Sequence, residues 1–142
     1  VTGVQTCALP ISATWAYFNL EARDDEPWDR VVSFVLARPP ADMAVVLCPN
    51  WFRGPLVYAL RRTGSTVHVF GIETGLPTDA LPADSTTPIW PEHLAALPDR
   101  FSTIVTVRQG YCPVVDLTPG DALPLAEAHS FGRLDVVRYE RR

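Results

Sequence analysis

The sequence predicts an α/β domain of three layers: a mostly parallel sheet with helices on both faces. Three neighbouring patterns between Met43 and Glu73 carry that expectation. Ala44 to Leu47 is a continuous apolar run, β-branched at its centre, as in a strand buried on both faces. Phe52, Leu56, Ala59 and Leu60 then recur at helical spacing, with Arg53, Arg61 and Arg62 between them where they reach water. Thr66 to Ile72 is a second strand-like run, rich in Val and Phe. A strand, a helix of about three turns and a strand, joined by short links, cross over right-handed into parallel pairing.

The other elements follow in chain order. Trp15 to Leu20, WAYFNL, is expected to form a first strand. Pro27 opens a helix, with acidic residues at the end where the helix dipole favours them. Trp28, Val31, Val32, Val35 and Leu36 form its apolar stripe, and Pro39-Pro40 ends it. Pro49, Gly54 and Pro55 break the chain after the central strand, and Gly64 stops the helix that follows. Thr74 to Thr87 reads as surface loop, Thr87 to Trp90 as a short strand, Pro91 to Leu97 as a short helix, and Phe101 to Val107 as a buried strand. Cys112 to Leu117 is read as another strand, Thr118 to Asp121 as a turn with a helix cap, and Ala122 to His129 as the last helix, stopped by Gly132. Leu134 to Tyr139 alternates like a strand with one wet face and is placed at an antiparallel edge. Alternating β and α elements of this kind make a Rossmann-like arrangement. Its ligands sit at the carboxyl ends of the strands, so Cys48 to Gly54 and Glu73 to Gly75 fall on the rim where a site belongs.

Val1 to Ile11, VTGVQTCALPI, is identified as the in-frame translation of a sequencing adapter and set aside from the fold. All 12 basic residues of the chain are arginine, as a GC-rich genome gives. The natural chain is therefore expected to begin at or before Ser12, and residues 12–142 to form one α/β domain, truncated at its N-terminus, from a metagenomic fragment. A hydrophobic content of 47% and a charged content of 20% are globular values. No apolar run approaches the roughly 18 residues of a membrane-spanning helix. A net charge of −4 argues against an extended nucleic-acid face, while leaving room for a local arginine site. With Cys7 in the adapter segment, Cys48 and Cys112 remain. They form no CxxC pair and signal neither a zinc knuckle nor a disulfide framework; two unpaired cysteines fit a cytoplasmic protein.

From Trp28 to Arg108 the order of elements resembles the core of a class I S-adenosylmethionine-dependent methyltransferase. The helix WDRVVSFVLARPP is similar to the one leading into that family's first strand, and VVLCPNWFRGPL stands where its glycine-rich motif would be. GSTVHVFGIE is similar to the second strand, which ends in the acid that bonds the cofactor ribose; Glu73 holds that place. LPDRFSTIV looks like the fourth motif. The family's first and second loop glycines fall on Asn50 and Phe52, and Gly54 matches the third. The acid before the loop is replaced by Cys48, and the acid of the fourth motif by Ser102. Side chains at Asn50 and Phe52 occupy space that the cofactor needs. PLVYALRRTGSTVHVFG and LAALPDRF are in turn similar to PIN-like (NYN) ribonuclease domains, whose metal-holding aspartates are replaced here by Asn50 and Phe52.

These readings order the functional expectations. The first is a degenerate methyltransferase-like domain, without catalysis, serving as a structural or partner-binding module. The alternative is an enzyme binding S-adenosylmethionine or another nucleotide-like ligand through Asn50, Arg53, Gly54 and Glu73, with Glu73 on the ribose hydroxyls and Arg53 on an anionic group. The third is a metal-dependent ribonuclease that has lost its acids; no residue is assigned as a metal ligand. His68 is read as a core or sheet-face histidine with a hydrogen-bond partner, and His93 and His129 as solvated helix residues without a metal-ligand neighbour. Cys48 is read as a buried thiol, Asp116 as a turn acid, and Arg53 and Arg108 as solvated rim arginines. Trp51 and Phe52 are large aromatics in a loop that is small in enzymes of this arrangement. They either plug the crevice or form a contact surface.

Overall fold

The apolar run after Met43 becomes an interior strand of the sheet, covered on both faces. The structure, a computed structural model, describes residues 27–38, 41–73, 88–113 and 115–142. Helix α1 (Trp28–Leu36) leads into strand β1 (Met43–Cys48). A 3₁₀ turn (Asn50–Phe52) then feeds helix α2 (Arg53–Arg62), and strand β2 is His68–Gly71. A 3₁₀ helix (Pro91–Asp99) precedes strand β3 (Thr103–Gln109). Strands β4 (Leu125–Phe131) and β5 (Leu134–Glu140) close the chain. The five strands lie in the order β2-β1-β3-β5-β4.

The expected strand–helix–strand unit is present: β1 pairs parallel with β2, and parallel with β3 on its other side. Side chains alternate strictly along β1. Met43, Val45 and Leu47 pack under α1 and α2 with Val31, Val35, Leu56 and Leu60. Ala44, Val46 and Cys48 face the other way, against Phe70, Ile89, Leu94, Leu97 and Leu117. Two helices thus cover one face, and the 3₁₀ helix with the irregular segment before β4 covers the other. Gly64 ends α2 as expected: at φ 76° it donates to the Arg61 carbonyl at 3.0 Å, and Ser65 donates back to Leu60 at 3.4 Å.

The sheet is mixed rather than mostly parallel. β5 runs antiparallel to β3 and to β4. Leu134 to Tyr139 is therefore an interior strand, and the edge is β4, in the place of the expected helix from Ala122 to His129. Gly132, at φ 60°, is a hairpin turn residue between the paired Phe131 and Leu134 rather than a helix stop. Pro91 to Leu97 winds as 3₁₀ helix, with Pro98 inside the element. Cys112 to Leu117 forms no strand among its described residues. Of the expected strand from Thr87 to Trp90, the described residues Pro88 to Trp90 form one isolated bridge, Ile89 to Ile72. Trp15 to Leu20, Thr74 to Thr87 and the adapter segment lie outside the described residues. At the chain's end Arg141 returns to the start of β3: its N–H reaches the Ser102 carbonyl at 3.0 Å and its guanidinium the Pro98 carbonyl at 2.7 Å.

Arg138 anchors the antiparallel half. It is 2% exposed and faces the helix layer between Val136 and Glu140. Its guanidinium lies over the Phe34 ring at 4.3 Å and donates to the Phe34 carbonyl, one of the last in α1 without a helical partner. It also reaches Glu127 of β4 at 3.0 Å. One side chain therefore ties the helix, the hairpin and the sheet together.

Candidate functional site

The carboxyl ends of β1 and β2 are sealed by the loop that follows β1. The Cys48–Pro49 peptide is cis. Asn50 then donates its backbone N–H to the Ile72 carbonyl at 2.9 Å, while Ile72 donates to Leu47 at 2.8 Å. This brings the Asn50 side chain over Gly71. A Cβ on Gly71 would stand 1.9 Å from Asn50 Oδ1 and 2.9 Å from its Cα, so only glycine admits this loop path. Asn50 Nδ2 reaches Glu73 Oε2 at 3.4 Å, whereas Asn50 Oδ1 is buried without a hydrogen-bond partner.

Two of the four residues expected to bind a cofactor are thus brought together, and they meet each other. Arg53 opens α2, half-buried; Gly54 follows it, exposed, with nothing within 4 Å of where its Cβ would stand. Trp51 and Phe52 stack at 4.1 Å between ring centroids, and Tyr111, from the turn after β3, lies 6.1 Å from Trp51. Phe52 is half-buried against the helix-face core, while Trp51 and Tyr111 are 58% and 66% exposed.

Cys48 and Cys112 are joined by a disulfide, which corrects the expectation of two unpaired thiols. The reason is topological. β1 and β3 are parallel neighbours, so Cys48, the last residue of β1, and Cys112, just past β3, lie at the same end of the sheet. The turn at Gly110 and Tyr111, closed by Cys112 N–H on the Gln109 carbonyl at 2.8 Å, folds Cys112 back over Cys48. Sixty-four residues apart in sequence, the pair gives no local motif. Adjacency of the two strands was the signal that could have revealed it.

Arg108 does not join Arg53. It faces away from α2, in a cleft of about 170 Å³ with Thr106, Asp116, Thr118, Asp135 and Tyr139. Its guanidinium donates to the Val115 carbonyl. Asp116 is a turn acid, as expected: its carboxylate accepts the Thr118 N–H at 2.9 Å. Hydrogen bonds from the Thr118 hydroxyl and N–H, aided by the charge of Arg108, hold its pKa below the ordinary value.

The histidines fall differently. His68 begins β2, exposed, its ring 5.4 Å from that of Phe101. His93 is buried rather than solvated, and its Nδ1 accepts from the Trp90 N–H at 3.3 Å. His129 is exposed, but on a strand, and contrary to expectation it has an acid beside it: Glu127 at 2.8 Å. Among the described residues no group of three His, Cys, Asp or Glu side chains is placed to hold a metal ion. No helix among them is long and apolar enough to cross a membrane. No protein-family model, curated protein or solved structure matches the chain.

Proposed function

We propose that the chain is a Rossmann-like, methyltransferase-like domain without catalysis, acting as a partner-binding module. The observation that carries this reading is the Asn50 side chain lying in the space over Gly71. In the resembling family a glycine loop leaves that space for cofactor. Here the protein's own amide fills it and engages Glu73, the residue matched to the ribose-binding acid. Phe52, at a second glycine position, packs into the core. The residues present therefore do not fit S-adenosylmethionine, and no chemical step is derived through it. The exposed rings of Trp51 and Tyr111 supply the contact surface instead.

Titration calorimetry of the full chain with S-adenosylmethionine is expected to give no heat of binding. Micromolar affinity would overturn the reading. A second reading is favoured by one atom. Asn50 Oδ1 is a buried acceptor without a partner, the kind of group that a small donor ligand satisfies. Under that reading the chain binds a nucleotide-like ligand through Asn50, Arg53 and Glu73, and a nucleoside raises the melting temperature of the natural sequence but not of Glu73→Ala.

A further inference from the structure

Three of the four large apolar side chains that stand mostly in solvent among the described residues are Trp51, Tyr58 and Tyr111. Trp51 leads into α2, and Gly54, Tyr58, Arg61 and Arg62 follow at spacings that share one helix face. All of these are exposed. Leu56 and Leu60 bury the opposite face, so the outer stripe takes no part in the buried core. We propose that this stripe docks a short single-stranded nucleic acid. The proposal rests on the reading of the chain as a binding module and names the ligand.

Charge selects a polyanion. Between Asp42 and Glu73 the sequence has no acidic residue but has Arg53, Arg61 and Arg62, within a chain of net charge −4. The positive potential is therefore local, and its footprint is small. The rings select exposed bases. Single-strand sites combine cations that follow the backbone with aromatic faces on which bases stack. An acidic peptide would use the arginines and leave the rings idle, and a duplex hides its base faces. Trp51 is backed by Phe52 and flanked by Tyr111, whose N–H is tied to Gln109 Oε1 at 2.6 Å and whose neighbour Cys112 is bonded to Cys48. The stacking surface is thus held in place before any ligand arrives. At the far end Arg62 lies over the Tyr58 ring at 6.0 Å.

Gly54 is the second indication. Glycine weakens a helix, yet here it has no positive φ and no close neighbour to require it. What it provides is bare backbone between Trp51 and Tyr58, where a flat base can lie against the helix. Trp51 to Arg62 spans roughly 16 Å at helical rise, room for a few nucleotides.

The test is fluorescence anisotropy of the full chain with a labelled oligouridylate of about a dozen nucleotides. Binding is expected, weakening steeply as salt rises from about 50 to about 200 mM. Trp51→Ala should weaken it about tenfold or more, and Trp51→Phe should recover much of the loss. Arg61→Ala with Arg62→Ala should weaken it and flatten the salt dependence, and Gly54→Leu should weaken it with the circular dichroism unchanged. Absence of binding overturns the proposal, as does equal affinity for an abasic strand or for polyglutamate, which would mark an acidic protein partner. These failures leave the filled crevice untouched. That reading is judged separately by the S-adenosylmethionine titration.

Discussion

Two glycines with opposite demands show how much a single hydrogen atom decides on this rim. Gly71 has the Asn50 amide where a methyl group would go, including a backbone atom at 2.9 Å. Gly71→Ala must push the loop off β2, and it should cost about 2–3 kcal/mol. Gly54 has open space at the same position. Gly54→Ala should be neutral or stabilising by up to about 1 kcal/mol, through helix propensity alone. Urea denaturation of both variants checks the pair; equal effects would mean that Asn50 does not hold the place described. At this scale the sequence was partly legible. Their positions after two strands mark Asn50 and Glu73 as rim residues. That they would contact each other depends on Gly71, whose significance emerges only when β2 lies beside β1. Tyr58 carried a signal of its own: it falls off the apolar stripe of Phe52, Leu56, Ala59 and Leu60, and so had to face water.

Among the elements, those with a clear apolar pattern are the readable ones: runs for β1 and β3, one-sided stripes for α1 and α2, alternation for β5. β1 is a continuous apolar run, and β3 is apolar at Ile104, Val105 and Val107, because each has neighbours in the sheet and layers above and below. β4 favours a helix locally, since its residues Leu125, Ala126, Glu127 and Ala128 are good helix formers. It is a strand because the turn at Gly132 pairs it with β5. As an exposed edge it shows no apolar period that could have betrayed it. What holds this hairpin to the helix layer is Arg138. Arg138→Ala removes a ring contact, a cap on α1 and an ion pair to Glu127 together, and it is expected to cost about 2–4 kcal/mol. Arg138→Met, which keeps most of the volume, should lose about half as much. An alanine variant within about 0.5 kcal/mol of the natural sequence would contradict the anchoring role.

For the molecule as a whole, the disulfide is the longest-range constraint. It joins the ends of β1 and β3 across 64 residues, and that span encloses α2, β2 and the 3₁₀ helix. Closing a loop of that size removes unfolded-state freedom worth up to about 4 kcal/mol. Cys112→Ser is therefore expected to lower stability by about 2–4 kcal/mol, and reductant should lower the melting temperature of the natural sequence but not of the variant. A natural chain indifferent to reductant would show that the bond adds nothing. The α/β class followed from the central unit. The alternation of Leu134 to Tyr139 marks an antiparallel strand, but its place inside the sheet depends on β4 pairing beyond it, which no pattern in Leu125 to Phe131 announces.

The return of β5 along β3 has a practical consequence. Gln109 pairs with Leu134 at the rim end, and Thr103 pairs with Glu140 at the other. Arg141 is fastened beside Ser102 and Pro98, at the foot of the sheet. A handle attached after Arg142, whether biotin, resin or a fluorescent fusion, would hang about 20 Å from Trp51 and Tyr111. A sensor surface coupled there would present the aromatic stripe outward.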